Sequence, residues 1–460
     1  MRILLVTPAF QSASPSWSMH TIPFLRKRAF MVPLPLATIA GMTPEGVEVV
    51  LWDESVQGKV EADTDLGGDV DVVGLTGYDL HMARCREIAR AFRDRGTLVA
   101  GGGPGISADP EHYRDDFDVL FVGESELTWP RFLDDLREGR PESIYRETTL
   151  PEIREVPEPR WANLTGLLAE HYLLGAVQIT RGCPFRCEFC DVWKVFGNGM
   201  RVKPVEKVLR EVEAMVHLGM EDVFLISDNF VGDKPYSREL LRGLVGLRPT
   251  LARPPRFHTE LTLNVAKDDE LLGLFAEAGF GSLFIGIESP NAASLKETRK
   301  RHNLFGDIVE SCHKIQSYGL PIEASMIVGF DHDTTAIFDE QFQFLQDACL
   351  PHPRMHMLKA IRGTDLWLRL VEGGRVVDLD RIYEGELFEG DYYPAQYAAN
   401  ILPAGMTRIE LMEGYLELLE RLYSWEAFAA RMKGFVSLVQ RPPEPPREAP
   451  SEAAKDGWAQ

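Results

Sequence analysis

Three cysteines stand within eight residues of one another, in the run Thr180-Arg-Gly-Cys183-Pro-Phe-Arg-Cys187-Glu-Phe-Cys190-Asp-Val-Trp193. At C-x3-C-x2-C spacing, three thiolates can wrap one cuboidal iron–sulfur cluster from a short loop. Such a [4Fe–4S] cluster ordinarily takes four protein thiolates. No fourth cysteine lies nearby, since the others are Cys85, Cys312 and Cys349. One iron would then stay open, able to chelate the amino and carboxylate groups of a small molecule. A structural zinc site would want four ligands, usually as paired C-x2-C units, and the chain has no second pair. Three unconnected buried cysteines are the remaining alternative, against which Gly182, Pro184 and Phe189 bracket the run.

Elements able to carry such a loop are visible on both sides of it. Short β-branched runs at Ala176–Thr180, Asp222–Ser227, Arg256–Leu261, Ser282–Ile287, Glu323–Phe330 and Met355–Ile361 alternate with helical patterns such as Val205–Leu218, Asp268–Ala278 and Leu304–Tyr318. The pattern predicts a partial (β/α)6 TIM-like barrel over 171–363, with its site at the strand carboxyl ends. A separate series comes first: Ile3–Thr7, Val47–Asp53, Val70–Thr76, Thr97–Gly101 and Val119–Gly123, with a helix at Met82–Arg95. It predicts a doubly wound, Rossmann-like α/β domain over 1–140, whose ligand would lie outside the strand ends. Pro151, Pro157 and Pro159 mark 141–170 as a linker. Residues 364–440 read as a helical domain with Glu410–Leu422 and Trp425–Val439 clearest, and 441–460, rich in Pro, Glu and Ala, as a disordered tail.

The formal charge of −21 argues against a nucleic-acid partner. Arg26-Lys27-Arg28 and Arg299-Lys300-Arg301 read as solvated basic patches. Six cysteines in 460 residues make no disulfide framework, and Cys85, Cys312 and Cys349 read as small buried residues. No uninterrupted apolar run is long enough to cross a membrane, and the amino terminus reads as a strand instead of a signal peptide. A cytoplasmic location is expected.

The order RGCPFRCEFCD, SDNF (Ser227 to Phe230), TELTLN (Thr259 to Asn264), GIESPN (Gly286 to Asn291) and MIVGFD (Met326 to Asp331) resembles the successive strand-end motifs of the radical S-adenosylmethionine (SAM) superfamily. Its signature, C-x3-C-x-aromatic-C, has Phe189 in the aromatic place. The resemblance implies a [4Fe–4S] cluster on Cys183, Cys187 and Cys190, with SAM completing the open iron beside Phe189. It places Asp228 and Asn229 near the SAM amino group, Glu260 and Glu288 facing its ribose or methionine moiety, and Gly329 with Phe330 along the adenine.

A doubly wound domain ahead of such a barrel is similar to the cobalamin-dependent subgroup. Val32-Pro-Leu-Pro-Leu-Ala-Thr-Ile-Ala-Gly41 looks like that subgroup's Pro-Leu-Gly-Leu element, with Pro35 in place of the glycine. The resemblance implies cobalamin held by strand-end loops at Thr76, Gly77, Tyr78, Gly102, Gly103, Gly123 and Glu124. A degenerate module without cofactor is the other reading; the absence of a G-x-x-x-x-G-K-S/T loop removes ordinary phosphate cradling. His81 follows Asp79 without the glycine of the D-x-H-x-x-G cobalt motif, so a helix-terminal role is expected for it. Trp17, Phe24 and Phe30 could roof an apolar cavity or simply pack. The carboxyl-terminal helices look like an uncharacterised extension whose relatives methylate hopanoids or modify tetrapyrroles.

The activity implied is methylation of an unactivated carbon of a small, apolar metabolite, through a 5′-deoxyadenosyl radical and methylcobalamin. An external electron donor such as flavodoxin or ferredoxin would be needed. The competing readings are oxidation or ring formation with the same cofactors, and a cluster that only carries electrons.

Overall fold

A computed structural model describes residues 1–9, 26–78, 81–377 and 399–440. In chain order its strands are β1 (Arg2–Thr7), β2 (Ala29–Met31), β3 (Glu48–Asp53), β4 (Val72–Thr76), β5 (Leu98–Gly102), β6 (Val119–Val122), β7 (Ile144–Arg146), β8 (Tyr172–Gln178), β9 (Thr180–Arg181), β10 (Arg201–Val202), β11 (Asp222–Ile226), β12 (Arg256–Leu261), β13 (Phe280–Glu288), β14 (Ile322–Val328) and β15 (His352–Met357). They form two parallel sheets and one small hairpin.

The first sheet has the order β3-β1-β4-β5-β6-β7. Its strands are apolar on both faces, as a sheet covered by helices on each side requires. The order reverses between β1 and β4, and the crevice outside their carboxyl ends is where such sheets bind ligands. The second sheet runs β15-β14-β13-β12-β11-β8-β2. Val223, Leu225, Leu283, Ile285, Ala324 and Met326 are fully buried on its outer face. It curls into a half-barrel: the ring of Phe30 on β2, at one edge, lies 5.7 Å from the Arg354 guanidinium on β15, at the other. The fold is thus an α/β protein with a doubly wound sheet, a parallel half-barrel and carboxyl-terminal helices.

Two short strands depart from the sequence expectation. β2 lies within 1–140, yet it pairs with β8 of the half-barrel, Ala29 opposite Tyr172 and Met31 opposite Leu174. β7 falls within 141–170, read above as a linker, and it extends the first sheet beside β6. At three residues each, neither strand carries enough alternation to register as a period. Past β7 the same stretch buries Ile153, Trp161 and Leu164, so its prolines interrupt regular structure without lifting the chain from the core.

One continuous core joins a face of the first sheet to the half-barrel, and a smaller core covers the opposite face. Val32–Gly41 forms most of the helix Leu34–Met42. A side chain at Gly41 would collide with the carbonyl of Glu158, so this element packs two segments together. Tyr172 donates to Asp53 across the two sheets at 2.9 Å. Among the carboxyl-terminal helices, Arg408–Leu422 opens on a capping box of Thr407 and Glu410. Residues 441–460, Trp17 and Phe24 lie outside the described residues. Among the described residues, no helix is long and apolar enough to cross a membrane.

Candidate active site

The cysteine loop leaves β9, which pairs antiparallel with β10 and closes the loop into a hairpin. Gly182 has φ +89°, and a side chain there would strike the Gly199 carbonyl, so only glycine lets the strands converge. Its N–H donates to Asp228 Oδ2 at 2.6 Å. Cys190 N donates to the Cys187 carbonyl at 3.3 Å, folding the last two cysteines over one turn. Burial pushes the Cys183 thiol up to about 11 and raises Cys187 and Cys190 as well, while Lys300 pulls all three down. Thiols in such surroundings ionise readily only when a bound cation carries the compensating charge. Among the described residues, no three His, Cys, Asp or Glu side chains converge on one metal-ion position. A multi-iron cluster meets each thiolate at a separate iron and needs no such convergence.

Lys300 is itself a correction. Read from the sequence as part of a solvated patch, it is only 7% exposed, and its Nζ donates to Glu288 Oε1 at 2.5 Å. Burial opposes its charge, but Glu288 and the cysteines outweigh this and hold its pKa above the ordinary value. A side chain on Gly286 would collide with Glu288 and come within 2.6 Å of Lys300 Nζ. Glu288, with φ +69°, therefore faces Lys300.

Asn229 is 1% exposed. Its Oδ1 accepts from Thr262 N at 3.3 Å and Oγ1 at 3.2 Å. The backbone N–H can only donate, which fixes the amide orientation and leaves Nδ2 buried without a partner among the described residues. Such an orphan donor fits an anionic group such as an amino-acid carboxylate. Glu260 points into the hollow of the half-barrel. Enclosure by protein, followed by the charge of Asp228, pushes its carboxyl up to about 7. Burial likewise raises Asp228. Gly329, at φ +106°, and Phe330 both donate their N–H to Asp333 Oδ2, at 2.9 and 3.0 Å. Phe330 is fully buried with its ring 6.1 Å from that of Phe189.

Across the hollow, Tyr78 follows β4 of the first sheet. It is 59% exposed to the space between the sheets, where enclosure and then Glu260, Asp191 and Asp228 raise its hydroxyl. Residues from both sheets and from the cysteine loop thus face one cleft. Gly103 packs against Thr76 and Gly77, a side chain there falling 2.6 Å from Thr76 Oγ1. Its glycine therefore serves loop-on-loop contact. A side chain on Gly102, which pairs with Thr76 in the sheet, would meet Phe121 at 3.4 Å, an ordinary contact. Gly123, at φ +86°, opens instead onto a cavity of about 420 Å³ that runs from Ser107 and Thr149 to Asp191 and Lys194 beyond the cysteine loop.

Glu124 lines that cavity, but its carboxylate pairs with Arg181 and Arg201 of the hairpin. Arg181 also binds Glu126 at 2.5 Å. Glu124 ties the first sheet to the cysteine loop, where the sequence reading had it contacting a ligand. His81 Nδ1 accepts from Tyr78 N at 3.1 Å, just ahead of the helix Met82–Arg93. His352 and His356 lie on β15, where an extended chain sets residues four apart about 13 Å from each other, too far to share a metal ion as they would on a helix. Cys85 and Cys312 are buried, whereas Cys349 is partly exposed.

Residues 177–345 match the model of the radical SAM superfamily, and 364–457 match a domain of unknown function (DUF4070). The hopanoid C-2 methylase of Rhodopseudomonas palustris is 32% identical over 387 residues, covering 82% of this chain and 72% of the methylase. The chain belongs to the radical SAM superfamily. An uncharacterized methyltransferase of Synechocystis is 33% identical to this radical SAM enzyme, covering 82% of it and 70% of the relative. Its fold matches the radical SAM methyltransferase TsrM from Kitasatospora setae, solved with cobalamin and a [4Fe–4S] cluster bound, at a TM-score of 0.63 and 17% identity, over 81% and 78% of the two chains. The radical SAM match contains the cysteine loop, Asp228, Asn229, Glu260, Glu288, Lys300, Gly329 and Phe330. Lys300 and Thr262 escaped sequence reasoning. A basic run looks solvated, and a strand-end threonine looks like a cap, until the partners are in place.

Proposed function

We propose that this radical SAM enzyme is a cobalamin-dependent methyltransferase acting on a carbon of a small metabolite. The observation that carries the reading is the shared cleft. The charges of Asp228 and Glu260 from the half-barrel and of Asp191 from the cysteine loop all bear on Tyr78 from the first sheet, so the three elements lie around one space. A methyl carrier on the first sheet would then sit within reach of a radical made at the cysteine loop. The methylase and methyltransferase relatives, and the cobalamin-bound fold relative, support the same reading.

When bound, the cluster, SAM and methylcobalamin supply a 5′-deoxyadenosyl radical and a methyl group. In this proposal Cys183, Cys187 and Cys190 hold the cluster and leave one iron for SAM. Asn229 Nδ2 donates to the SAM carboxylate, Asp228 lies by its amino group, and Phe189 forms the aromatic wall beside its adenine. Phe330, which the sequence reading set along the adenine, is fully buried behind Phe189 and not in contact with it. Glu288, held by Lys300, borders the ribose. The loops at Thr76–Tyr78, Gly102–Gly103 and Gly123 border the corrinoid, with the cavity behind Gly123 for its tail. Phe30 and Phe284 flank Arg354 on the inner face of the half-barrel, offering an apolar surface and a polar head to substrate. With the cofactors seated between them, the two sheets would shield a radical there from water. A flavodoxin or ferredoxin would provide the electron.

The test is anaerobic turnover with SAM, methylcobalamin, a one-electron reductant and a metabolite extract. The proposal expects 5′-deoxyadenosine and S-adenosylhomocysteine together. 5′-Deoxyadenosine alone would favour oxidation or ring formation. A corrinoid lost on desalting from protein that keeps its iron would remove cobalamin from the reading.

A further inference from the structure

Glu188 sits between Cys187 and Phe189, where a conventional reading assigns nothing. It is 5% exposed, and three of its groups are fixed at once. Its backbone N–H donates to the Thr298 carbonyl at 3.0 Å, and its own carbonyl accepts from Leu366 N at 3.0 Å. Its carboxylate takes a forked pair of bonds from Arg369, Nε to Oε1 at 2.7 Å and Nη2 to Oε2 at 3.0 Å. Leu366 and Arg369 both belong to the helix Asp365–Glu372, which lies inside the 364–457 domain of unknown function and outside the radical SAM match.

That helix is anchored on its other sides. Leu366 and Leu370 are buried, each 1% exposed, so the face carrying Arg369 cannot roll away. Thr364 caps its first turn by accepting from Trp367 N at 3.1 Å. Asp365 holds Lys194, just beyond the cysteines, at 2.6 Å and Arg299 at 2.7 Å. Arg369 also reaches Asp331 at 2.5 Å and Glu297 at 3.0 Å, and Arg375 returns to Asp331 at 2.6 Å. One guanidinium thereby gathers carboxylates from the cysteine loop, the segment after β13 and the segment after β14.

We propose that the carboxyl-terminal domain acts as a clamp on the cluster loop, with Arg369 as the positioning residue that keeps the Cys187–Cys190 turn closed over its iron. Among the described residues Arg369 forms ion pairs with Glu188, Glu297 and Asp331, so it acts on the cysteines through Glu188. A planar fork fits the two carboxylate oxygens where an ammonium cannot. Lysine at 369 therefore restores the charge without restoring the grip. The proposal rests on the reading that the three cysteines carry a [4Fe–4S] cluster.

Its test uses the full-length chain reconstituted anaerobically with iron and sulfide. Wild type, Arg369→Ala, Arg369→Lys and Glu188→Gln are each challenged with bathophenanthroline disulfonate, and iron release is followed by absorbance. The melting temperature of each iron-free protein is measured alongside. We expect release at least ten-fold faster in Arg369→Ala and Glu188→Gln than in wild type, and an intermediate rate in Arg369→Lys. The iron-free melting temperatures of Arg369→Lys and Glu188→Gln should stay within a few degrees of wild type. The double variant Glu188→Gln with Arg369→Ala should be no worse than Arg369→Ala alone, because the Glu188 contact is already lost there. Equal release rates in wild type and Glu188→Gln would overturn the clamp. So would release rates that merely follow a matching fall in the iron-free melting temperature. Wild type that takes up no cluster would instead remove the reading on which the clamp rests, so the two failures are separable.

Discussion

The ammonium of Lys300 lies 2.5 Å from Oε1 of Glu288, in a site so close that Gly286 can carry no side chain. The pair places a fixed positive charge beside three thiols, where it favours their ionised form. Removing one partner of a buried pair leaves the other charge stranded. Lys300→Met should therefore destabilise the iron-free protein by about 3–5 kcal/mol, read by urea denaturation. The double variant with Glu288→Gln should recover much of the loss. A Lys300→Met protein as stable as wild type would show that the pair is solvated.

Glu124 joins the two sheets through Arg181 and Arg201. Its side chain is 2% exposed and that of Arg181 is 9% exposed. Glu124→Gln should cost roughly 3 kcal/mol on the same principle, with Arg181 left to Glu126. The expected signature is a lower urea midpoint together with faster protease cleavage between Arg181 and Arg201. An unchanged midpoint would mean that the hairpin is held by other contacts.

The pH dependence of stability carries the sign of Glu260. Its carboxyl is raised from 4.5 to about 7 in the folded chain. Between those values the native state binds more protons than the unfolded state, so stability falls as pH rises. The contribution is fully present below about pH 4.5 and lost above about pH 7. Glu260→Gln should accordingly gain melting temperature over wild type at pH 8 and show little difference at pH 4.5. Equal differences at both pH values would place the carboxyl in open water.

Much of this was legible in the residues. The C-x3-C-x2-C run, the strand-end motifs and the buried parallel strands announce themselves through spacing and β-branched runs. The sequence boundaries of Arg256–Leu261 coincide with those of β12. What escaped is whatever depends on a partner distant in the chain. Lys300 looks solvated until Glu288 folds over it, and Glu124 looks like a ligand contact until the hairpin arrives. β2 is three residues whose identity as a half-barrel strand lies wholly in its pairing with β8.

Asn229 offers an orphan amide to SAM. Asn229→Asp keeps the oxygen that accepts from Thr262 and replaces the donor with an acceptor. A charge-assisted hydrogen bond contributes about 1.5–3 kcal/mol, so SAM affinity should fall roughly 10- to 100-fold by equilibrium dialysis. Unchanged affinity would assign the carboxylate to another donor.

The open iron itself can be observed by electron paramagnetic resonance of the reduced, fully loaded protein, recorded with and without SAM. Coordination by the amino and carboxylate groups should change the cluster signal, and Cys183→Ala should show no such cluster. Four irons per chain with a spectrum that SAM leaves unaltered, and no 5′-deoxyadenosine formed, would contradict the assignment of Cys183, Cys187 and Cys190 as a three-cysteine site.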